Sequence, residues 1–378
     1  MVDFQRVHDC FSKAASSYYD DAVMQSKMAS RLIDLICSNL PSTNTSCYAQ
    51  AQHQSQDSHG YKVLEIGCGP GNFTTQLLNK LPIKDLCLND LSLQMLEQNM
   101  LNLYEQGYIT RDQQIWSLQG HKSKWQPLTQ AHEATKQPQA TNKLQSFSAI
   151  CGDARLLSKL KTQAQEHEQA HEHVQEQAKA QEHDKAQVHK PAHAKAKAQY
   201  NVQAEGELAA GAAAGVFSSS FDLIVSNASF QWFEDLAAAL LGFQELASPN
   251  TKATQEDAAT FGQGHSVLAF SSFYAGHFAE VKELTDVSLN YLTKEKVIEA
   301  LERCQLDYQV FFDEELQYFN SSVELFRHLH ETGVNGIAAT PLSAGSLRRI
   351  MREYEERFTE KMGVRLTWHP YYVIAKLH

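Results

Sequence analysis

The stretch KVLEIGCGPGNFTTQLL, residues 62–78, decides the fold that this sequence predicts. An apolar run ends in three alternate glycines and continues as a helix-like stretch, a pattern typical of a strand, a tight loop and a helix. In such a unit, backbone N–H groups and the N-terminus of the helix lie at the carboxyl edge of a sheet. The glycines indicate that a ligand comes very close to the backbone there.

Other apolar stretches repeat this rhythm along the chain. Four of them alternate with helix-like stretches: DLCLND (85–90), FSAICGDA (147–154), SFDLIVSNASFQW (220–232) and SVLAFSSFY (266–274). Strands that are apolar throughout and are separated by helices predict an α/β fold, with a parallel sheet and helices on both faces. The stretch LTWHPYYVIAKL (366–377) is rich in aromatic and β-branched residues and predicts an antiparallel edge strand of the same sheet. We therefore expect one domain over residues 1–378.

Two polar stretches interrupt this pattern and are interpreted as insertions. Residues 108–146 are polar and irregular, and residues 158–216 consist mainly of Ala, Gln, His, Glu and Lys, then Gly and Ala. The second stretch includes His167, His171, His173, His183, His189 and His193. Histidines at helical spacing can chelate a metal, but the composition favours a solvated insertion with too little apolar surface to fold alone. We predict no metal site.

The charge balance argues against some classes of partner. The chain of 378 residues carries a formal net charge of −11, whereas proteins that wrap nucleic acid or coat anionic membranes need a basic surface. The seven cysteines are scattered and never show C-x-x-C spacing, which is typical of reduced thiols in a cytosol. No stretch approaches the length of a membrane span. We expect a cytoplasmic protein that binds neither nucleic acid nor a membrane.

The spacing of the loop glycines distinguishes between ligands. The dinucleotide fingerprint G-x-G-x-x-G needs a third glycine where this chain has Asn72, and a phosphate-binding lysine is also missing. Gly67, Gly69 and Gly71 instead form G-x-G-x-G, and Glu65 precedes them. A carboxylate aimed into the loop would repel a pyrophosphate but would attract an ammonium group. S-adenosyl-L-methionine, which carries an amino-acid tail, a sulfonium and a ribose, fits this requirement better than a nicotinamide dinucleotide.

Acidic residues at the ends of the next two strands extend the pattern. Asp90 ends the second strand, 19 residues after Gly71, where its carboxylate can accept hydrogen bonds from both ribose hydroxyls. Asp153 follows the third strand and can accept a hydrogen bond from the adenine amino group. A single strand-end aspartate is often only a helix cap. Acids at three successive strand ends favour a cofactor site.

These residues resemble the class I S-adenosylmethionine-dependent methyltransferases, which have a Rossmann-like sheet. Further stretches resemble the malonyl-[acyl-carrier protein] O-methyltransferase family of biotin synthesis: FSKAASSYYDDAVMQ (11–25), SNASFQWFEDLAAAL (226–240), FSSFYAGHFAEVKELTDVSLNYLT (270–293) and LFRHLHETGVNG (325–336). The two polar insertions have no counterpart in the family pattern.

The resemblance implies an activity, a cofactor and a partner. Enzymes of this family methylate the free carboxylate of malonyl attached to acyl carrier protein, with S-adenosyl-L-methionine as cofactor, and so start pimeloyl synthesis for biotin. The resemblance also implies that residues 1–40 form helices on the substrate side. Two alternatives remain open: a small-acid carboxyl methyltransferase of the trans-aconitate type, and a non-catalytic methyltransferase-like binding protein.

Individual side chains receive roles from the same resemblance. Tyr18 matches a tyrosine that lies over the cofactor site, so its hydroxyl would orient the malonyl carboxylate, with aromatic packing as the alternative. We assign Ala154 and Asn227 to the cofactor side, and Gln25, Gln231, Trp232 and Arg327 to the substrate side. The alternatives are a solvent-facing position for Gln25, a core position for Trp232 and a merely solvated cation for Arg327.

Overall fold

A computed structural model describes most of the apolar framework of the chain. The described residues are 8–9, 11–12, 22–40, 60–110, 113–117, 122–124, 144–159, 161–162, 217, 220–247, 266–285, 289–331 and 343–377. None of the helices within these ranges has the length and apolar character needed to cross a membrane.

Helices and strands alternate through the first two thirds of the chain. The α-helices are α1 (Val23–Asn39), α2 (Asn72–Lys80), α3 (Leu93–Glu105), α4 (Leu236–Ala247), α5 (Ala279–Thr285), α6 (Lys294–Arg303), α7 (Ser322–Glu331) and α8 (Ala344–Phe358). The strands are β1 (Tyr61–Ile66), β2 (Ile83–Asp90), β3 (Gln114–Ser117), β4 (Lys122–Lys124), β5 (Ser146–Cys151), β6 (Leu223–Ser226), β7 (Ser266–Phe273), β8 (Asp307–Phe312), β9 (Glu315–Phe319), β10 (Thr359–Glu360), β11 (Gly363–Trp368) and β12 (Pro370–Leu377).

Nine of the described strands form one mixed sheet in the order β4-β3-β5-β2-β1-β6-β7-β12-β8. The six strands from β3 to β7 in this order pair in parallel, whereas β12 runs antiparallel to β7. Strand β1 is central, because β2 and β6 pair with its two sides. The predicted parallel sheet of an α/β fold is therefore confirmed.

Helices cover both faces of this sheet. Val63 of β1 packs into an apolar cluster that includes side chains of α1 and α2, whereas the next residue, Leu64, packs into a cluster that includes α4 and α6. Successive side chains of a strand point to opposite faces, so a strand buried on both faces needs apolar residues throughout. This requirement explains the uninterrupted apolar runs in the sequence and confirms the predicted two-sided covering.

The end of the chain differs from the expectation in two respects. The stretch 366–377 was predicted to be one strand, but the structure divides it into β11 and β12 on either side of His369. β11 belongs to a separate three-stranded sheet with β9 and β10. The predicted edge position was also wrong: β12 is antiparallel as expected but lies between β7 and β8, so β8 forms the edge. Strand β8 provides this edge, and the mixed burial of β8 and β9 gives only a weak apolar signal.

The two insertions have different outcomes. Residues 108–146 were expected to be irregular, but they contain β3, which pairs with β5, and β4, which pairs with β3. The histidine-rich part of 158–216 lies outside the described residues. Lys161, just before this part, donates hydrogen bonds to the carbonyls of Glu245 (2.8 Å) and Leu246 (3.2 Å) at the end of α4.

The chain re-enters the described structure close to the same place. Phe217 packs edge to face on Phe221, which precedes β6, with ring centroids 6.0 Å apart. Ser266, at the start of β7, donates to the carbonyls of Phe221 (2.6 Å) and Ala247 (3.5 Å). The end of α4 and the starts of β6 and β7 therefore meet at the amino edge of the sheet.

Substitution of Gly363 should destabilise the small sheet. Gly363 has φ +129°, and a Cβ there would lie 2.4 Å from the backbone oxygen of Phe319. We expect Gly363→Ala to lower the free energy of unfolding by about 1–3 kcal/mol. Gly345 is a matched control, because it lies in α8 with no atom closer than 3.9 Å to its Cβ position. Gly345→Ala should instead stabilise by about 0.4–1 kcal/mol. Urea unfolding midpoints measure both changes, and equal midpoints for the two variants would contradict the assigned strain at Gly363.

Candidate active site

A cavity lies at the carboxyl edge of the sheet, where β1, β2, β5 and β6 end. It comprises about 1050 Å³ of empty space that is continuous with solvent. Its wall includes the loop after β1, the end of β2, the turn after β5 and the turn after β6. This is the position at which parallel α/β sheets bind ligands, because the loops at this edge diverge and leave a crevice.

The glycine loop forms the floor of the cavity. Gly69 has φ +53°, and a Cβ built on it would meet no atom within 4 Å. Its missing side chain therefore leaves open space beside the backbone. Gly71 has φ +106°, and a Cβ there would approach Oδ1 of Asn99 to 2.8 Å. Gly69 therefore leaves room for a ligand, and Gly71 permits close packing against α3.

Two asparagine side chains of α3 donate hydrogen bonds to backbone carbonyls of this loop. Asn99 is fully buried and donates to the carbonyl of Gly69 (3.3 Å) and to the hydroxyl of Thr74 (2.9 Å). Asn102, one turn later, donates to the carbonyl of Pro70 (2.8 Å). Neither residue was predicted from the sequence. The available signal was a pair of asparagines three positions apart on the helix after β2, which places them on one face.

Glu65 is the most strongly perturbed acid of the cavity. Its side chain is buried at the end of β1, and Oε2 has no hydrogen-bond partner among the described residues. Burial raises the pKa of Glu65 to about 8, and the nearby Asp90 acts in the same direction, against a hydrogen bond with Thr74. A buried carboxyl with one unpartnered oxygen favours a cationic ligand, which would compensate the cost of ionising it.

Asp90 lies at the end of β2 and also lines the cavity. Burial raises its pKa to about 6, although hydrogen bonds from the backbone N–H groups of Ser92 and Gly69 oppose this shift. These N–H groups donate to Oδ1 at 2.8 Å and to Oδ2 at 2.9 Å, respectively. They fix the orientation of the carboxylate and leave further lone pairs for a ligand.

Asp153 and Ala154 line the cavity after β5. Nε of Arg155, a residue that was not predicted from the sequence, donates to both carboxylate oxygens of Asp153, at 2.9 and 2.8 Å. Burial raises the pKa of Asp153, but the hydrogen bonds from Arg155 outweigh it and lower the pKa overall. The carboxylate is thus kept ionised and in a fixed orientation at the rim of the cavity.

Gln25 of α1 and Trp232, in the turn after β6, also line the cavity. Gln25 is only 7% exposed, and its Oε1 has no hydrogen-bond partner among the described residues. The solvent-facing alternative for Gln25 is therefore wrong. Trp232 is half-buried and packs edge to face against Phe11, with ring centroids 5.6 Å apart.

Asn227 lines the cavity, but the protein itself uses both polar groups of its side chain. Nδ2 donates to the backbone carbonyl of Gln25 (2.9 Å), and Oδ1 accepts from the hydroxyl of Ser271 (2.6 Å). Three other assigned residues, Gly71, Gln231 and Arg327, do not line this cavity. Gln231 bonds to Ala228 and Ser272, and Arg327 is exposed on α7.

Tyr18, the residue assigned to carboxylate orientation, lies outside the described residues. Within the described part of the chain, no group of three or more His, Cys, Asp or Glu side chains is arranged to hold a metal ion.

Comparisons with known proteins identify several similar sequences. A malonyl-[acyl-carrier protein] O-methyltransferase of Bacteroides thetaiotaomicron is 23% identical over 97% of this chain and 95% of its own. One from Calditerrivibrio nitroreducens is 32% identical over 42% of this chain and 58% of its own, and one from Chlorobium luteolum is 28% identical over 40% and 52%. The chain thus spans about half the length of the latter two relatives.

Solved structures are more distant. A plantazolicin methyltransferase in complex with S-adenosylhomocysteine matches all of this chain and all of its own at 13% identity, with a TM-score of only 0.35. The family model of the methyltransferase domain, in contrast, matches residues 24–354, far more than half of the 378 residues. This chain belongs to the methyltransferase domain family.

Proposed function

We propose that this protein methylates the free carboxylate of malonyl carried on acyl carrier protein, with S-adenosyl-L-methionine as methyl donor. The observation that carries the proposal is the buried carboxyl of Glu65, whose Oε2 has no hydrogen-bond partner among the described residues, beside an open glycine loop. A phosphate-rich cofactor could not compensate the cost of ionising this carboxyl, whereas an ammonium group could. The substrate is proposed from the relatives, which are named malonyl-[acyl-carrier protein] O-methyltransferases.

The acids of the cavity suit the three parts of this cofactor. Glu65 would hold the ammonium group of the amino-acid tail. Asp90 would accept hydrogen bonds from the ribose hydroxyls, since its carboxylate is fixed by backbone N–H groups. Asp153 would accept a hydrogen bond from the adenine amino group.

The chemistry requires little from the protein beyond orientation. S-adenosyl-L-methionine supplies a methyl group bonded to a positively charged sulfur. A malonyl carboxylate with a pKa of roughly 4 is already ionised near neutral pH, so no general base is required. The residues around the cavity would hold the carboxylate oxygen in line with the methyl group and exclude water, and such orientation supplies at most roughly 7–11 kcal/mol. By the family resemblance, Tyr18 would contribute its hydroxyl to this orientation.

The substrate proposal is tested by direct assay. Purified protein with S-adenosyl-L-methionine should form a methyl ester on malonyl-acyl carrier protein, and trans-aconitate should be a much poorer acceptor. Mass spectrometry of the carrier protein measures a gain of one methyl group. A preference for trans-aconitate would overturn the substrate proposal while leaving the cofactor site intact.

Removal of the ribose-binding acid should weaken cofactor binding. We expect Asp90→Ala to cost about 1–3 kcal/mol, or roughly 5- to 150-fold in Kd, because a charged hydrogen-bond acceptor is lost. Asp85→Ala is the control, since Asp85 lies at the other end of β2 and bonds to Ser146. Titration calorimetry measures both, and an unchanged Kd in Asp90→Ala would contradict the assigned role.

The affinity for S-adenosyl-L-methionine should rise with pH between about 6.5 and 7.5. Burial raises the pKa of Glu65 to about 8, so the carboxyl is mostly protonated in this range, whereas a bound ammonium group favours the ionised form. Binding therefore releases a proton, and the affinity gains up to about tenfold per pH unit. Calorimetry in buffers of different ionisation enthalpy measures this release. In Glu65→Gln both the proton release and the pH dependence of the affinity should disappear. If they persisted in this variant, Glu65 would not be the group that releases the proton.

A further inference from the structure

Helix α1 begins without the local groups that normally stabilise a helix N-terminus. Its N-cap residue is Ala22, no side chain caps the first turn, and the first turn contains no acidic residue. Alanine is among the poorest N-cap residues, since it offers no acceptor for the free backbone N–H groups. The position of this first turn must therefore be fixed by contacts with the rest of the fold.

Asn227, in the turn after β6, supplies such a contact. Its Nδ2 donates to the backbone carbonyl of Gln25 in the first turn of α1, at 2.9 Å. Its Oδ1 accepts from the hydroxyl of Ser271 in β7, at 2.6 Å. One amide thus joins the sheet to the start of the helix over a separation of 202 residues in the chain.

The hydrogen-bond directions in this chain of contacts are determined. The hydroxyl of Ser271 accepts from the backbone N–H of Ala228 at 3.0 Å, so its own hydrogen is available for Oδ1 of Asn227. The carbonyl of Gln25 can only accept, so it requires the NH₂ group of the amide. Both ends of the Asn227 side chain are therefore specified by their partners.

The side chain of Gln25, the residue whose backbone carbonyl accepts this bond, lies at the cavity. Gln25 lines the cavity and is 7% exposed, and its Oε1 has no partner among the described residues. Buried polar atoms in proteins are nearly always hydrogen-bonded. This side-chain amide is therefore available to a ligand that fills the cavity.

We infer that Asn227 is a positioning residue for the acyl substrate: it fixes the first turn of α1 and thereby holds the Gln25 amide over the cavity. This inference rests on the proposed function and names a further determinant of the same site. It differs from the sequence expectation that Asn227 contacts the cofactor, because both polar groups of its side chain bond to the protein.

Two adjacent serines provide a matched test. Ser271 and Ser272 are both buried in β7, and each donates to a side chain of the turn after β6. Ser271 bonds to Asn227 (2.6 Å), whereas Ser272 bonds to Gln231 (3.3 Å), which does not line the cavity. Each Ser→Ala change removes one buried hydroxyl, so a general loss of stability should be similar in both variants.

The expected kinetic result separates substrate positioning from cofactor binding. At saturating S-adenosyl-L-methionine, Ser271→Ala and Asn227→Asp should raise KM for malonyl-acyl carrier protein at least tenfold, with the cofactor Kd changed less than twofold. Ser272→Ala should leave both constants within twofold of the unmodified protein. An equal rise of KM in the two serine variants, or a raised cofactor Kd in Asn227→Asp, would overturn the inference.

Asn227→Asp adds a pH signature that a purely structural defect lacks. Its carboxylate would face the carbonyl of Gln25, so two acceptors would repel each other, whereas a protonated carboxyl could donate and restore the bond. The KM of this variant should therefore fall as the pH is lowered from about 7.5 to 5.5, relative to the unmodified protein. A KM ratio that does not vary with pH would contradict the assigned hydrogen bond.

A readout without substrate keeps this inference separate from the proposed function. Hydrogen exchange of backbone amides 26–30 in the cofactor-loaded protein should be at least tenfold faster in Ser271→Ala than in Ser272→Ala. If the unmodified protein formed no malonyl ester, the proposed substrate would fail, and this comparison would still decide whether Asn227 fixes α1. Equal exchange in the two variants would overturn that role, and Ser271→Ala carries the test alone if Asn227→Asp does not fold.

Discussion

A buried carboxyl with one unpartnered oxygen, at the end of the central strand, is the constraint around which the site is organised. Ionising a carboxyl group away from water is unfavourable unless a cation or hydrogen-bond donors compensate it. Glu65 is only 1% exposed, so water does not supply this compensation. The glycine loop, which follows Glu65 in the chain, leaves open space beside its backbone. The side-chain amides of Asn99 and Asn102 fix this loop through hydrogen bonds to its carbonyls. The fold therefore holds a buried carboxyl where a cationic ligand would compensate the cost of ionising it.

Much of the framework could be predicted from sequence, and the exceptions have a common physical origin. Strands β1, β2, β5, β6 and β7 are buried on both faces, so their apolar runs are strong signals. Strands β8 and β9 are partly exposed and gave no such run. The break at His369 was hidden because β11 and β12 are both rich in apolar residues, although they belong to different sheets. Local patterns identify strands well but do not specify which sheet a strand joins.

The site shows the same division between local and tertiary information. Glu65 and Asp90 were identified because strand ends in a parallel sheet converge at one edge. Asn99, Arg155 and Ser271 were not identified, because their roles depend on contacts between elements that are far apart in the chain. Asn227 lines the cavity, but only its partners in the fold show that its amide joins α1 to β7.

The attachment of the long polar stretch at the amino edge of the sheet has a practical consequence. Lys161 and Phe217 meet the sheet near the end of α4 and the start of β6, whereas the cavity lies at the carboxyl edge. Loop closure entropy grows slowly with length, by about 0.6 kcal/mol for each doubling. A fluorescent reporter or affinity module could therefore be grafted between these two anchors. Such a fusion would be tethered on the side of the sheet away from the cavity, which would stay accessible.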